Sequence, residues 1–168
     1  TARPGFEAGV SLVPDFRPGW LPILNERLGS LVSLGVNTVE LTPPWVLTQN
    51  SPTPLIEFDP RHSPFADGLQ GMADSAHRAG LQVVLRPELI TPDGSTLSSW
   101  WLSAPRDYAW WISWFEQYRA YLLNFAVLAE LINADKLVIS GAPVAPTFLG
   151  GELSDGSTGS SRSTAPGR

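Results

Sequence analysis

The sequence predicts an α/β fold, about four βα units of a parallel sheet that form part of a (β/α)8 TIM barrel, and three observations carry this. Short apolar runs of strand character alternate strictly with helical periodicities along most of the chain. The segments after the strands are far longer than those after the helices, the pattern of right-handed βαβ units. The turn between the first strand and the first helix reads Pro14-Asp15-Phe16-Arg17-Pro18-Gly19-Trp20. A doubly wound nucleotide binder would carry a glycine-rich phosphate turn there, so the barrel is favoured.

Phe6 to Val13 is a short, partly alternating apolar run that proline ends, and it is read as the first strand. Leu21, Ile23, Leu24, Leu28, Leu31, Val32 and Leu34 then recur at helical spacing, with Gly35 as the left-handed stop. Val36 to Leu41 is the second strand, which runs into Pro43-Pro44 and a long loop holding Trp45 and Glu57 to His62. Leu69, Met72, Ala73 and Ala76 mark a helix ending at Gly80, and Leu81 to Leu85 is the third strand. An irregular stretch with Trp100 and Trp101 follows. The strongest helical signal comes next: Tyr108, Trp111, Ile112, Phe115, Tyr118, Leu122, Phe125, Ala129 and Ile132. Leu137 to Ile139 is the fourth strand, after which Gly, Pro, Ser and Thr dominate. The domain is expected to span residues 1–150, with a Gly/Ser-rich, disordered tail over 151–168.

A length of 168 residues with 43% apolar side chains suits one domain, and 16 Pro with 15 Gly disfavour a helical bundle. The net charge of −5 and the lack of any dense basic stretch exclude nucleic acid as a partner. Without cysteine there is no disulfide framework or thiolate metal site, and His62 and His77 do not have the spacing of a metal pair. Neither a metal nor any other cofactor is expected. No uninterrupted apolar run reaches the length of a membrane span, so no membrane partner is expected either. The chain opens Thr1-Ala2-Arg3 with no initiator Met or apolar leader, which is expected where a targeting segment has been removed or trimmed.

Seven Trp is a heavy load for this length, and a flat ring offers an apolar face to a sugar while polar neighbours bind its hydroxyls. Trp110, Trp111 and Trp114 fall inside the long helix and are read as core. Trp45, Trp100 and Trp101 fall in strand-to-helix loops, where they either cap the barrel rim or form a sugar platform. Glu40 stands near the end of the second strand, where an acid among apolar neighbours is paired, functional or exposed on an edge. Arg86 and Glu88 end the third strand on one side of the pleat, where they either pair with each other or position a sugar or a catalytic acid. His77 reads as a surface residue, and His62 either reaches a ligand or is solvated. Glycoside hydrolysis needs two carboxyl groups, and Glu40, Glu88, Glu152 and Asp155 are the acids near predicted strand ends or the loops beyond them. Glu88 and Glu152 are taken as the candidate catalytic pair, and Glu40, Trp45, Arg86, Trp100 and Trp101 as the candidate substrate-binding set.

The run Leu31-Val-Ser-Leu-Gly-Val-Asn-Thr-Val-Glu-Leu41 with Trp45, the run Asp74-Ser-Ala-His-Arg-Ala-Gly-Leu-Gln-Val-Val-Leu-Arg-Pro87, and Trp114-Phe115-Glu116-Gln117-Tyr118 together resemble clan A glycoside hydrolases, most nearly glycoside hydrolase family 113. The likeness covers residues 6–150. It implies a (β/α)8 barrel acting on β-mannan or a similar glycan, with a general-acid Glu directly after the fourth strand and a nucleophilic Glu after the seventh. The fourth strand here runs into Ser140-Gly141-Ala142-Pro143, and the chain ends before a seventh.

The resulting expectation is a carbohydrate-active domain that binds a polysaccharide or oligosaccharide and is incomplete as a catalyst. The alternative is a non-catalytic scaffold or interaction module derived from a glycoside hydrolase. Four units leave two strand edges bare, and the face of the sheet away from the helices is expected to carry the apolar side chains that fill a closed barrel. A homodimer or a complementary C-terminal half-barrel is the expected partner.

Overall fold

The structure, a computed structural model, describes residues 6–12, 20–102 and 106–139. Glu152, Asp155, the Ser140 to Pro143 segment and the boundary expected near residue 150 lie outside these. In chain order the elements are β1 (Gly9–Leu12), α1 (Trp20–Ser33), β2 (Thr38–Leu41), β3 (Pro44–Gln49), β4 (Leu55–Glu57), α2 (Ala66–Arg78), β5 (Gln82–Leu85), β6 (Glu88–Ile90), α3 (Leu97–Leu102), α4 (Tyr108–Leu131) and β7 (Lys136–Leu137).

The strands expected from sequence, β1, β2, β5 and β7, pair in parallel in that order, and α1, α2 and α4 connect them. This is half of the expected barrel. Val39, Leu41, Val83 and Leu85 are at most 1% exposed and share one core with Leu24 and Leu28 of α1 and Leu69, Met72, Ala73 and Ala76 of α2. Their register follows from strict alternation, since a slip by one residue would turn all four away from the helices. The helices stop where the backbone turns left-handed, at Gly35 (φ 91°), Gly80 (φ 80°) and Asn133 (φ 51°). The two glycines are legible in sequence, whereas Asn133 does the same work with a residue that only tolerates the conformation.

The opposite face of the sheet departs from expectation. The register aligns Ser11 with Glu40, Glu40 with Val84, and Val84 with Lys136, so the row away from the helices is mostly polar rather than apolar. Lys136 pairs with Glu7, just ahead of β1, although β1 and β7 are the outermost strands of this sheet.

The stretches read as loops after the second and third strands instead build a second sheet, in the order β4-β3-β6. Pro44 opens β3, a position where a missing N–H does no harm, and pairs with Glu88 in register. Because β2 and β5 are parallel neighbours, their continuations emerge side by side and keep bonding: Arg86 N–H donates to Leu41 O at 2.9 Å, and Glu88 N–H to Pro43 O at 3.2 Å. The Pro-Pro pair reads as a break only when the partner strand is out of sight.

The long helix α4 is N-capped by Asp107, whose carboxylate accepts from Trp110 N–H at 2.8 Å. Its buried face is Trp110, Trp114, Tyr118, Tyr121, Phe125 and Ala129. Tyr108, Ile112 and Phe115, assigned by periodicity to the apolar face, are instead 81%, 44% and 49% exposed. The helix is apolar nearly all round, so periodicity alone could not choose the inward side.

Candidate substrate site

In a parallel α/β sheet, residues at the C-terminal ends of adjacent strands come together. Glu40 is the third residue of β2 and belongs to the polar row, Arg86 follows β5 directly, and Glu88 opens β6. Arg86 joins all three: its Nε donates to Glu40 Oε1 at 2.5 Å, and its Nη1 lies 2.8 Å from Glu88 Oε1. Their side chains are between 27% and 41% exposed, so the cluster opens to solvent at the mouth of the sheet. The Glu40 carboxylate raises the Arg86 pKa further above its ordinary value, and partial burial opposes this. The cation is therefore permanent, and its planar fork sets the orientation of both carboxylates.

Trp45 lies in β3 rather than in an irregular loop and is half-buried. Its ring meets Tyr121 and Phe125 edge-on, with centroids 5.6 Å away in both cases, and Phe58 at 6.3 Å. Phe58 in turn packs on Phe65 at 5.3 Å, so an aromatic run leads outward from the core. Tyr121 is 3% exposed, and burial, then Tyr118, then the negative charge of Glu88 hold its phenol protonated well above the ordinary range. Tyr121 thus backs the Trp45 ring from α4. The sequence reading missed it, because a Tyr among helical core positions carries no signal of its own until the facing strand is known.

Trp100 and Trp101 belong to the short helix α3 and are 7% and 3% exposed. Trp101 lies 4.9 Å from Trp114 and 6.0 Å from Trp110, and Trp100 lies 5.6 Å from Trp114. Arg106 covers Trp101 at 4.6 Å. Other rings and a guanidinium thus occupy the neighbourhood of these two, which join Trp110 and Trp114 in the core.

The two histidines are engaged locally. His62 Nδ1 lies 3.0 Å from Asp59 Oδ2, and Arg61 binds the same carboxylate, holding its pKa well below the ordinary range. His77 does more than sit on the surface, since its Nε2 lies 3.1 Å from Asp135 Oδ2 and so ties α2 to the start of β7. Among the described residues no group of three or more His, Asp or Glu is placed to hold a metal ion, and no helix is long and apolar enough to cross a membrane.

This half-barrel matches solved structures along most of its length, and the family model for Glycoside Hydrolase Family 113 matches residues 23–145. The chain belongs to glycoside hydrolase family 113. Among similar solved structures are a complex of a GH113 β-1,4-mannanase (TM-score 0.65, 22% identity, covering 83% of this chain and 47% of that one) and a GH113 β-1,4-mannanase structure (TM-score 0.63, 22% identity, 79% and 44%). A third is the GH113 β-mannanase AaManA from Alicyclobacillus acidocaldarius in complex with ManMIm (TM-score 0.61, 21% identity, 78% and 42%). No curated protein sequence matches it. The family 113 chain thus spans under half the length of these structures and corresponds to about half of a family 113 barrel, related to β-1,4-mannanases. Its fourth parallel strand, β7, leads through Val138 and Ile139 to the edge of the described residues.

Proposed function

We propose that this family 113 domain supplies part of a cleft for β-mannan or a similar β-linked polysaccharide, with Glu40, Arg86 and Glu88 as hydroxyl-binding groups and Trp45 as their aromatic wall. One observation carries the reading: a single guanidinium fixes two carboxylates at the C-terminal end of a parallel sheet, where barrel enzymes build their sites. Oriented carboxylates accept pairs of sugar hydroxyls, and the Arg fork keeps both from turning away. Glu88, as a carboxylate ion-paired with Arg86, suits binding better than proton donation to a leaving group. In this reading bond cleavage belongs to a complete barrel, whose acid and nucleophile the family resemblance assigns to positions after the fourth and seventh strands. Glu152 stays a candidate for the second carboxyl group by sequence alone.

The alternative, a non-catalytic scaffold, is favoured by the Ser140-Gly141-Ala142-Pro143 segment where the family resemblance implies a general-acid Glu. Titration of β-1,4-manno-oligosaccharides and cello-oligosaccharides by calorimetry, beside an assay for released reducing ends, separates the readings. Binding at sub-millimolar sugar that Arg86→Ala abolishes supports the cleft. A chain that binds no oligosaccharide at millimolar concentration is a scaffold, and released reducing ends would show that this chain hydrolyses alone.

A further inference from the structure

The second sheet ends in a cavity that the cluster at the mouth does not use. β3 and β6 run parallel, and the turns that follow them meet the start of α3 around a volume of about 460 Å³, within the usual range of small-ligand sites. Gln49, Asn50, Asp93, Ser95, Ser99 and Trp100 are among the residues that line it, and no Lys, Arg or His does. Such a lining suits neither phosphate nor a uronic acid, because no cation is present to balance a ligand's negative charge. Amides, hydroxyls and one carboxylate beside apolar Leu47, Pro92 and Trp100 are the chemistry that recognises a neutral polyhydroxylated ring.

The walls are set firmly. Asn50 Nδ2 donates to Trp100 O at 2.8 Å, and Asn50 O accepts from Trp110 Nε1 at 2.7 Å, so the end of β3 is fastened to α3 and α4. On the other side Asp93 Oδ1 accepts from Ser95 N–H at 3.0 Å and Thr91 Oγ1 donates to Ser95 O at 2.6 Å, which shapes the turn after β6. The hydrogen bond from the Ser95 N–H, and after it the Ser95 hydroxyl, also hold the Asp93 carboxyl below its ordinary pKa.

The cavity is remote from the mouth along a known direction. Pro44, at the start of β3, is in register with Glu88, and Gln49 stands at its far end, five steps or about 17 Å along an extended strand. A ligand in contact with both places must be a chain of several sugar rings. We propose that this cavity is a remote subsite for a neutral β-linked oligosaccharide whose other end lies at the Glu40–Arg86–Glu88 cluster, an inference that rests on the proposed carbohydrate function.

The test is calorimetric titration of the 168-residue chain with a β-1,4-linked mannose disaccharide and hexasaccharide. The variants are Asp93→Ala, which removes the carboxylate, and Ser95→Tyr, which fills the space without removing the backbone groups of the turn. Near-UV circular dichroism checks that both variants fold. The subsite predicts that the hexasaccharide binds the unaltered chain more tightly than the disaccharide, and that both variants weaken it about tenfold while disaccharide affinity holds. Unchanged hexasaccharide affinity in both variants, with the disaccharide still bound, overturns the subsite and leaves the mouth reading standing. Loss of the disaccharide as well places the effect at the mouth and counts against the cavity. An unaltered chain that binds neither sugar overturns both.

Discussion

Asp135 Oδ2 accepts the backbone N–H of Val83 at 2.7 Å, so the carboxylate just ahead of β7 satisfies a donor of β5 before the parallel ladder begins. That hydrogen bond, and after it the one from His77, holds the Asp135 carboxyl below its ordinary pKa against the opposing effect of burial. A carboxyl with a depressed folded-state pKa contributes stability that is complete above its unfolded value, about 3.9, and is lost as pH falls through the folded value. Urea unfolding from pH 7 down to pH 2 should therefore show stability declining below about pH 4, with a shallower decline in Asp135→Asn. Asp135→Ala should lower stability at pH 7 by about 1 kcal/mol, a modest figure because the side chain is 41% exposed. Identical pH profiles for the two proteins would remove the linkage.

Arg86→Ala leaves Glu40 and Glu88 adjacent with no cation between them. Expected consequences are a loss of about 1–2 kcal/mol in stability, intermediate between exposed and buried pairs, and at least a tenfold loss of oligosaccharide affinity. Arg86→Lys restores the charge but not the planar fork, so it should recover stability more than affinity. Equal recovery of both would mean that charge alone matters.

The two sides of α4 should respond oppositely to truncation. Trp114 is fully buried against Trp100, Trp101, Trp110 and Tyr118, so Trp114→Ala should cost about 3–5 kcal/mol in chemical denaturation. Phe115, the next residue, is 49% exposed, and Phe115→Ser should change stability by no more than about 0.5 kcal/mol. A large effect at Phe115 would contradict the orientation of the helix.

Ile112, Phe115, Leu123, Val127 and Leu131 leave an exposed apolar stripe along α4, and β1 and β7 each have one unpaired edge among the described residues. Covering these surfaces with a second copy or with a complementary half-barrel is the assembly we propose. Sedimentation velocity should show concentration-dependent association of the chain alone, and Ile112→Ser with Val127→Ser should shift it toward the monomer. Monomer at all concentrations, with cooperative unfolding, would contradict the need for a partner.

Along the chain the sequence by itself determined the parallel strands β1, β2, β5 and β7, the helices between them and the glycine stops at 35 and 80, because each depends on local periodicity or on one residue's backbone freedom. The pairing of Arg86 with Glu88 was legible for the same reason, being fixed by two steps of extended chain. Tertiary structure alone decided what depends on meeting distant segments. The proline-rich stretch after β2 became β3 only because the segment after β5 emerges beside it. Glu40 reached Arg86 because their strands are neighbours, 46 residues apart in sequence. The row expected to be apolar is polar because strand pairing sets Ser11, Glu40 and Lys136 in one register row, and the inward face of α4 was chosen by the second sheet it packs against. A helix that is apolar nearly all round leaves that choice to the surface it packs against.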